Sequence, residues 1–178
     1  DKNIEIHNVK LREKKGGKTD YADKFRQDLT AAVIVCSDSI SKGAKKDKAG
    51  LAIQDKLKEN NIRVADYTII PDEVETIQEK VTGYCDQGVD MVLITGGTGL
   101  SPRDVTPQAI QPLLDVEIPG IMEAARSYGQ ERTPFAMLSR GIAGLKGETL
   151  IAAMPGSTRG ASETMDALFP YILHLYRI

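Results

Sequence analysis

Disulfide and zinc chemistry have little to work with in this sequence. Its 178 residues include two cysteines and two histidines, and no tryptophan. Cys36 and Cys85 lie far apart with no C-x-x-C, and His7 and His174 are isolated, so no cluster has zinc-ligand spacing. The thiols read as buried and reduced, which fits a cytoplasmic protein. An excess of one charge is also missing. A net charge of −2 leaves no broad basic field for nucleic acid or an anionic membrane. No apolar run approaches the roughly 20 residues needed to span a bilayer, and no secretory signal opens the chain. The first residue is Asp1 rather than Met, as expected of a trimmed or processed start. A domain of this size buries roughly 70% of its unfolded surface, so one core suffices without disulfide or metal support.

What is present is an alternation of strands and helices from about residue 31. AAVIVCS (31–37) is a continuous apolar run of the kind buried on both faces of a sheet. The following segment puts Ala49, Ala52, Ile53 and Leu57 on one helical stripe, with Asp47 placed to cap it. IRVADYTII (62–70) reads as the second strand. Asp72 with Glu75 resembles a capping box ahead of Val74, Ile77, Val81, Tyr84 and Cys85 at helical spacing. VDMVLIT (89–95) is the third strand. Thr106-Pro107 offers an N-cap and N1 proline for a short helix to Leu114, and Pro119 starts another. PFAMLSR (134–140) and TLIAAMP (149–155) read as two more strands, joined by a connection containing Gly141, Gly144 and Gly147. A final helix enters at Ser157 and bends at Pro170. This pattern predicts an α/β fold, a three-layer αβα sandwich with a mostly parallel sheet, over residues 31–178. Residues 1–30 are charged and poor in apolar residues, and read as a tail or linker.

The polar oddities follow strand ends. Ser37-Asp38-Ser39, Pro71-Asp72-Glu73, Gly96 to Thr106 and Pro155-Gly156-Ser157 therefore collect on one rim, where open parallel sheets bind ligands. TGGTG (95–99) matches neither G-x-x-x-x-G-K-[ST] nor G-x-G-x-x-G. Its glycines nevertheless permit positive φ and close backbone approach, so N–H groups can converge on a phosphate. Thr95, Thr98 and Ser101 add hydroxyls, and Arg103, Arg140 and Lys146 offer positive charge. Asp104 beside an anion site calls for an intervening cation. Mg²⁺ fits, with Asp72 and Asp38 as further oxygen donors.

TGGTG, PRDVTP, PDE, TPFAMLSR and MPGS, in this order and spacing, resemble the molybdopterin adenylyltransferases, including the corresponding domains of plants and gephyrin. The resemblance runs from about Ala31 to the C-terminus. It implies adenylyl transfer from Mg-ATP to molybdopterin, giving adenylylated molybdopterin and pyrophosphate. Carried over by motif, it implies Asp72 and Asp104 as catalytic, Mg²⁺-holding aspartates. Asp38, Pro71, Gly96, Gly97, Thr98, Gly99 and Ser101 would take the nucleotide. Ser139, Arg140, Pro155, Gly156 and Ser157 would take the pterin. Two departures stand out. KKDKAG (45–50) replaces an Asp-Arg/Lys-Ser/Gly stretch, and MPGSTRG (154–160) carries Ser-Thr-Arg where some relatives have Asn-Pro or Gln-Pro.

The resemblance also implies a homotrimer or homohexamer in contact with other molybdenum cofactor enzymes. Ile121 and Met122 are expected to lie exposed and supply the apolar contact. NVKLREKKGGKTDY (8–21) resembles the C-terminal tail of cyclic pyranopterin monophosphate synthases, as a fusion remnant would. Two other readings compete: a non-catalytic molybdopterin-binding or scaffold domain, and a nucleotide-processing enzyme of the competence-damage type. Asp72 and Asp104 together weigh against the first, and TPFAMLSR and MPGS against the second.

Overall fold

The computed structural model describes residues 26–177. The resemblance to a synthase tail falls on residues 8–21 and lies outside the described residues. Six strands form one sheet: β1 (Thr30–Cys36), β2 (Arg63–Ile70), β3 (Met91–Thr95), β4 (Val116–Glu117), β5 (Ile142–Lys146) and β6 (Thr149–Met154), in the order β2-β1-β3-β6-β5-β4. The first four in that order run parallel, and β5 and β4 complete the edge antiparallel.

Side chains alternate across the sheet, as a period of two requires. Ala31, Val33, Met91, Leu93, Leu150 and Ala152 face one core. Beyond the single turn α1 (Asp38–Ser41), these side chains meet α2 (Ala49–Glu59), α5 (Pro119–Gln130) and α6 (Thr158–Leu168). Ala32, Ile34, Val92, Ile94, Ile151 and Ala153 face the other core, against α3 (Val74–Asp86) and α4 (Thr106–Ile110). Both faces of the central strands are covered, which explains why they read as unbroken apolar runs. The architecture is the expected αβα sandwich.

Several local expectations are corrected. PFAMLSR is not a strand: Pro134–Leu138 is a 3-10 turn with Phe135 exposed, entered at Thr133. The strand that pairs with β6 is instead the glycine-containing segment Ile142–Lys146. Gly144 permits this, since a Cβ there would lie 2.3 Å from the Val116 carbonyl oxygen. Lys146 pairs with Thr149 at the amino end of β6 and so lies at the end of the sheet opposite the rim. The final helix does not bend at Pro170 but ends at Leu168, and a 3-10 turn covers Tyr171–Tyr176. Met122 is buried and Ile121 packs on the core, so this pair is not an exposed apolar face. The packed structure also reaches back before residue 31: Leu29 is buried, and Arg26 donates to Asp90.

Candidate active site

The strand order reverses direction between β1 and β3, and the site lies beyond the carboxyl ends of these strands. β3 ends at Thr95 and the chain turns through Gly96 (φ +101°) and Gly97 (φ +64°). Both conformations favour glycine, and space demands it too. A Cβ on Gly96 would stand 2.1 Å from the Cys36 carbonyl oxygen.

Thr106 holds this turn from below. Its hydroxyl donates to the Gly96 carbonyl (2.9 Å) and its backbone N–H to the Gly97 carbonyl (3.1 Å). It is the first residue of α4 rather than the expected cap, and its buried hydroxyl ties the loop to the helix. On the other side, Arg140 donates from its backbone N–H to the Thr98 carbonyl (3.0 Å) and from Nε to the Gly99 carbonyl (2.7 Å). Four successive carbonyls, from Gly96 to Gly99, are thus bonded. The N–H groups of Gly97, Thr98 and Gly99 make no hydrogen bond among the described residues. All three residues line a cleft of about 590 Å³. Successive free N–H groups of this kind make an anion-binding concavity.

The carboxylates sit next to this loop. Asp38 and Asp72 bond reciprocally: the Asp38 backbone N–H donates to Asp72 Oδ2 (3.0 Å), and the Asp72 N–H donates to Asp38 Oδ1 (3.2 Å). Asp72 is therefore not the cap of α3. Glu73 holds that position, without a side-chain cap bond. Asp72 Oδ1 is buried with no hydrogen-bond partner among the described residues, and a Cβ on Gly97 would come within 3.0 Å of it. Burial, opposed by the Asp38 N–H and reinforced by the charges of Asp38 and Asp104, raises the Asp72 carboxyl above its ordinary range. Asp38 behaves oppositely. The Arg103 guanidinium donates to its Oδ2 from Nε (2.9 Å) and Nη2 (2.5 Å), and holds the carboxyl below its usual range.

Asp104 lies across the glycine loop. Its Oδ2 accepts from the Ser101 N–H (2.8 Å), and its own N–H donates to the Ser101 carbonyl (2.9 Å). An orphaned buried carboxylate oxygen on Asp72, influenced by Asp104 and close to free N–H donors, is the donor chemistry of Mg²⁺ shared with phosphate. The residues fit that ion, although no group of three or more possible ligands occurs among the described residues. Phosphate oxygens and water would have to complete its shell.

Set beside this geometry, the model of one protein family, described as a probable molybdopterin binding domain, matches residues 32–174. The chain belongs to that family. The molybdopterin adenylyltransferase of Helicobacter pylori is 36% identical over 149 residues, covering 82% of this chain and 85% of that protein. The molybdenum cofactor biosynthesis bifunctional protein of Chlorobaculum tepidum is 35% identical over 99% of this chain, which spans about half that relative's length (55%). Among solved structures, the molybdopterin biosynthesis enzyme MoaB of Thermus thermophilus superposes with a TM-score of 0.78 at 41% identity, covering 83% of this chain and 96% of that one.

In this molybdopterin-binding-family fold, the cleft brings Gly97, Thr98, Gly99 and Asp104 together with Ser139, Pro155, Gly156 and Ser157. Gly156 packs against the Gly96 backbone, where a Cβ would come within 2.9 Å of the Gly96 Cα. Ser157 caps α6 by accepting from the Gly160 N–H (3.1 Å). Asp38, Pro71, Asp72, Ser101 and Arg140 do not line this cleft. Ser101 and Arg140 line a second hollow on the far side of the loop. Sequence reasoning missed Arg126, Phe135 and Glu163 as cleft walls. Periodicity on α5 and α6 could have flagged the two charged residues, but nothing local tells a cleft-facing turn from a solvated one. Cys36 lies under the site with its thiol pushed up to about 12 by burial, an inert packing group rather than a nucleophile.

Proposed function

We propose that this domain transfers the adenylyl group of Mg-ATP to the terminal phosphate of molybdopterin, releasing pyrophosphate, in molybdenum cofactor biosynthesis. The observation that carries this reading is the pairing of three unbonded N–H groups, on Gly97, Thr98 and Gly99, with the orphaned Asp72 Oδ1. One answers phosphate and the other answers a cation, and a nucleotide–magnesium complex supplies both.

A phosphate oxygen of the pterin attacks the α-phosphorus of ATP, and the bond to the bridging oxygen of pyrophosphate breaks. The reactants are both anionic, so positioning and charge neutralisation are the main tasks of the protein. The N–H groups of the glycine loop receive phosphate oxygens, with Asp38, Pro71 and Ser101 on the nucleotide side. Ser139, Pro155, Gly156 and Ser157 form the pterin wall. Asp72 and Asp104 are the residues that would hold Mg²⁺, which when bound supplies neutralising charge between carboxylates and phosphates. A cytoplasmic homotrimer or homohexamer, in contact with other molybdenum cofactor enzymes, is the assembly proposed with this activity. Light scattering over a broad concentration range tests it, and a monomer throughout would dismiss it.

Single-turnover formation of adenylylated molybdopterin from Mg-ATP is the direct test. Product formation dependent on Mg²⁺ supports the reaction. Molybdopterin binding without turnover would favour a binding or scaffold domain instead.

A further inference from the structure

The resemblance places Arg140 on the pterin wall through LSR (138–140), yet two of its five side-chain donors turn to the glycine loop instead. Nε reaches the Gly99 carbonyl (2.7 Å) and Nη2 the Asp104 carbonyl (2.5 Å), while its backbone N–H holds Thr98 (3.0 Å). One residue thereby joins both limbs of the loop from Thr98 to Asp104. A planar guanidinium can bridge two carbonyls in fixed geometry, which a lysine ammonium does not do. Arg126 of α5 in turn reaches the carbonyls on either side of this residue, Ser139 (3.4 Å) and Gly141 (3.3 Å).

The loop needs such a clasp. It is rich in glycine, carries no regular structure between Thr95 and Thr106, and must keep Asp104 facing the site. Thr106 fixes only the Gly96–Gly97 end.

We propose that Arg140 is a positioning residue: it holds the Asp104 main chain against Gly99 and so sets where the Asp104 carboxylate stands, without serving as a pterin ligand. The kinetic part rests on the adenylyl-transfer reading above; the clasp itself does not.

The test compares Arg140→Met and Arg140→Lys with the wild-type chain in three measurements. These are the single-turnover rate at saturating Mg-ATP and molybdopterin, the Kd for molybdopterin, and amide hydrogen exchange at Asp104 and Thr106. For Arg140→Met the expected rate loss is about tenfold to a hundredfold, as for a misplaced catalytic group, with pterin Kd changed by less than about threefold. Exchange at Asp104 and Thr106 should rise while that of Val92 to Ile94 in β3 stays unchanged. Arg140→Lys, which keeps the charge and serves as the readable variant if the methionine protein does not fold, should lose nearly as much rate. A rate kept at saturation with pterin Kd weakened about tenfold or more would overturn the proposal and make Arg140 a pterin ligand. Unchanged exchange at Asp104 and Thr106 would overturn the clasp. A wild-type chain without adenylyl transfer would sink the functional reading alone, because the exchange measurement still decides for or against the clasp.

Discussion

Two aspartates at opposite ends of the sheet, Asp90 and Asp72, show how differently one fold treats a carboxylate. Asp90 precedes β3 at the amino end. Its Oδ1 accepts from Arg26, and its Oδ2 accepts from the backbone N–H (2.8 Å) and hydroxyl (2.9 Å) of Thr30. Its carbonyl takes the Tyr176 hydroxyl (2.5 Å) and the Leu150 N–H (2.9 Å). Every polar atom there has a partner, and the network pins the first described residues and the last turn to the sheet. Asp72 follows β2 at the carboxyl end and keeps a buried oxygen without a partner among the described residues. A group left unsatisfied in the interior costs free energy, so a fold retains it where a ligand completes it. The amino end holds the molecule together, and the carboxyl end is left incomplete for chemistry.

The largest expected effect breaks that comparison at the carboxyl end. Asp104→Asn keeps size and hydrogen-bonding reach but removes charge, and should slow single-turnover adenylyl transfer at least about a hundredfold, roughly 2.7 kcal/mol. Asp72→Asn should do the same, and the double variant should lose less than the sum, since both act through one metal–phosphate unit. Near-normal rates in both single variants would remove the carboxylates from the mechanism.

At the amino end the loss should appear in stability instead. Asp90→Ala strands the Thr30 N–H and releases Arg26, which is half exposed and contributes little. A cost of about 2 kcal/mol is expected in chemical denaturation, with the rate per folded molecule retained. A rate loss without destabilisation would contradict the division between the two ends.

The pH dependence is a finer comparison. Asp72 has its folded-state pKa raised by burial and by Asp38 and Asp104, so the native state holds that proton more tightly than the unfolded chain. Its contribution to stability is fully present below the unfolded carboxylate value and is lost as pH rises through the raised value. Asp72→Asn should therefore melt about one to a few degrees above wild type at neutral pH, and the gain should vanish below the ordinary carboxylate range. A gain that persists at low pH would point away from titration.

The smallest effect concerns Arg103→Gln. Its pair with Asp38 is exposed, so the melting temperature should hardly move. Asp38, released from Arg103, should titrate closer to its ordinary range in a carboxyl-resolved NMR titration. A carboxyl that stays depressed would assign the shift to the backbone contact with Asp72.

The layers of the fold were legible because fully buried strands must be apolar and covering helices must be striped. Ala31 to Cys36 and Met91 to Thr95 could be read with no knowledge of their neighbours. β5 could not, because Gly144, with Gly141 and Gly147 on either side of the strand, resembles a turn until Val116 is seen packed against it. The exposed 3-10 turn at Pro134–Leu138 escaped for the converse reason: Phe135, Met137 and Leu138 look like core but remain at the surface beside the cleft.

The same division runs through the site. Sequence alone determined that carboxylates, hydroxyls and glycines follow successive strand ends, and a parallel sheet gathers those ends on one rim. It also determined the glycines that positive φ requires. Tertiary structure alone decided the partners. Asp72 looked like a helix cap until Asp38, 34 residues away, took its place as bonding partner. Thr106 looked like a cap until its hydroxyl turned to Gly96, and nothing in LSR announced that the Arg140 guanidinium would meet Gly99 and Asp104. Backbone preference is local and is written in residue type. A hydrogen bond is satisfied by whichever donor or acceptor the packed chain brings within about 3 Å, and no stretch of sequence states that on its own.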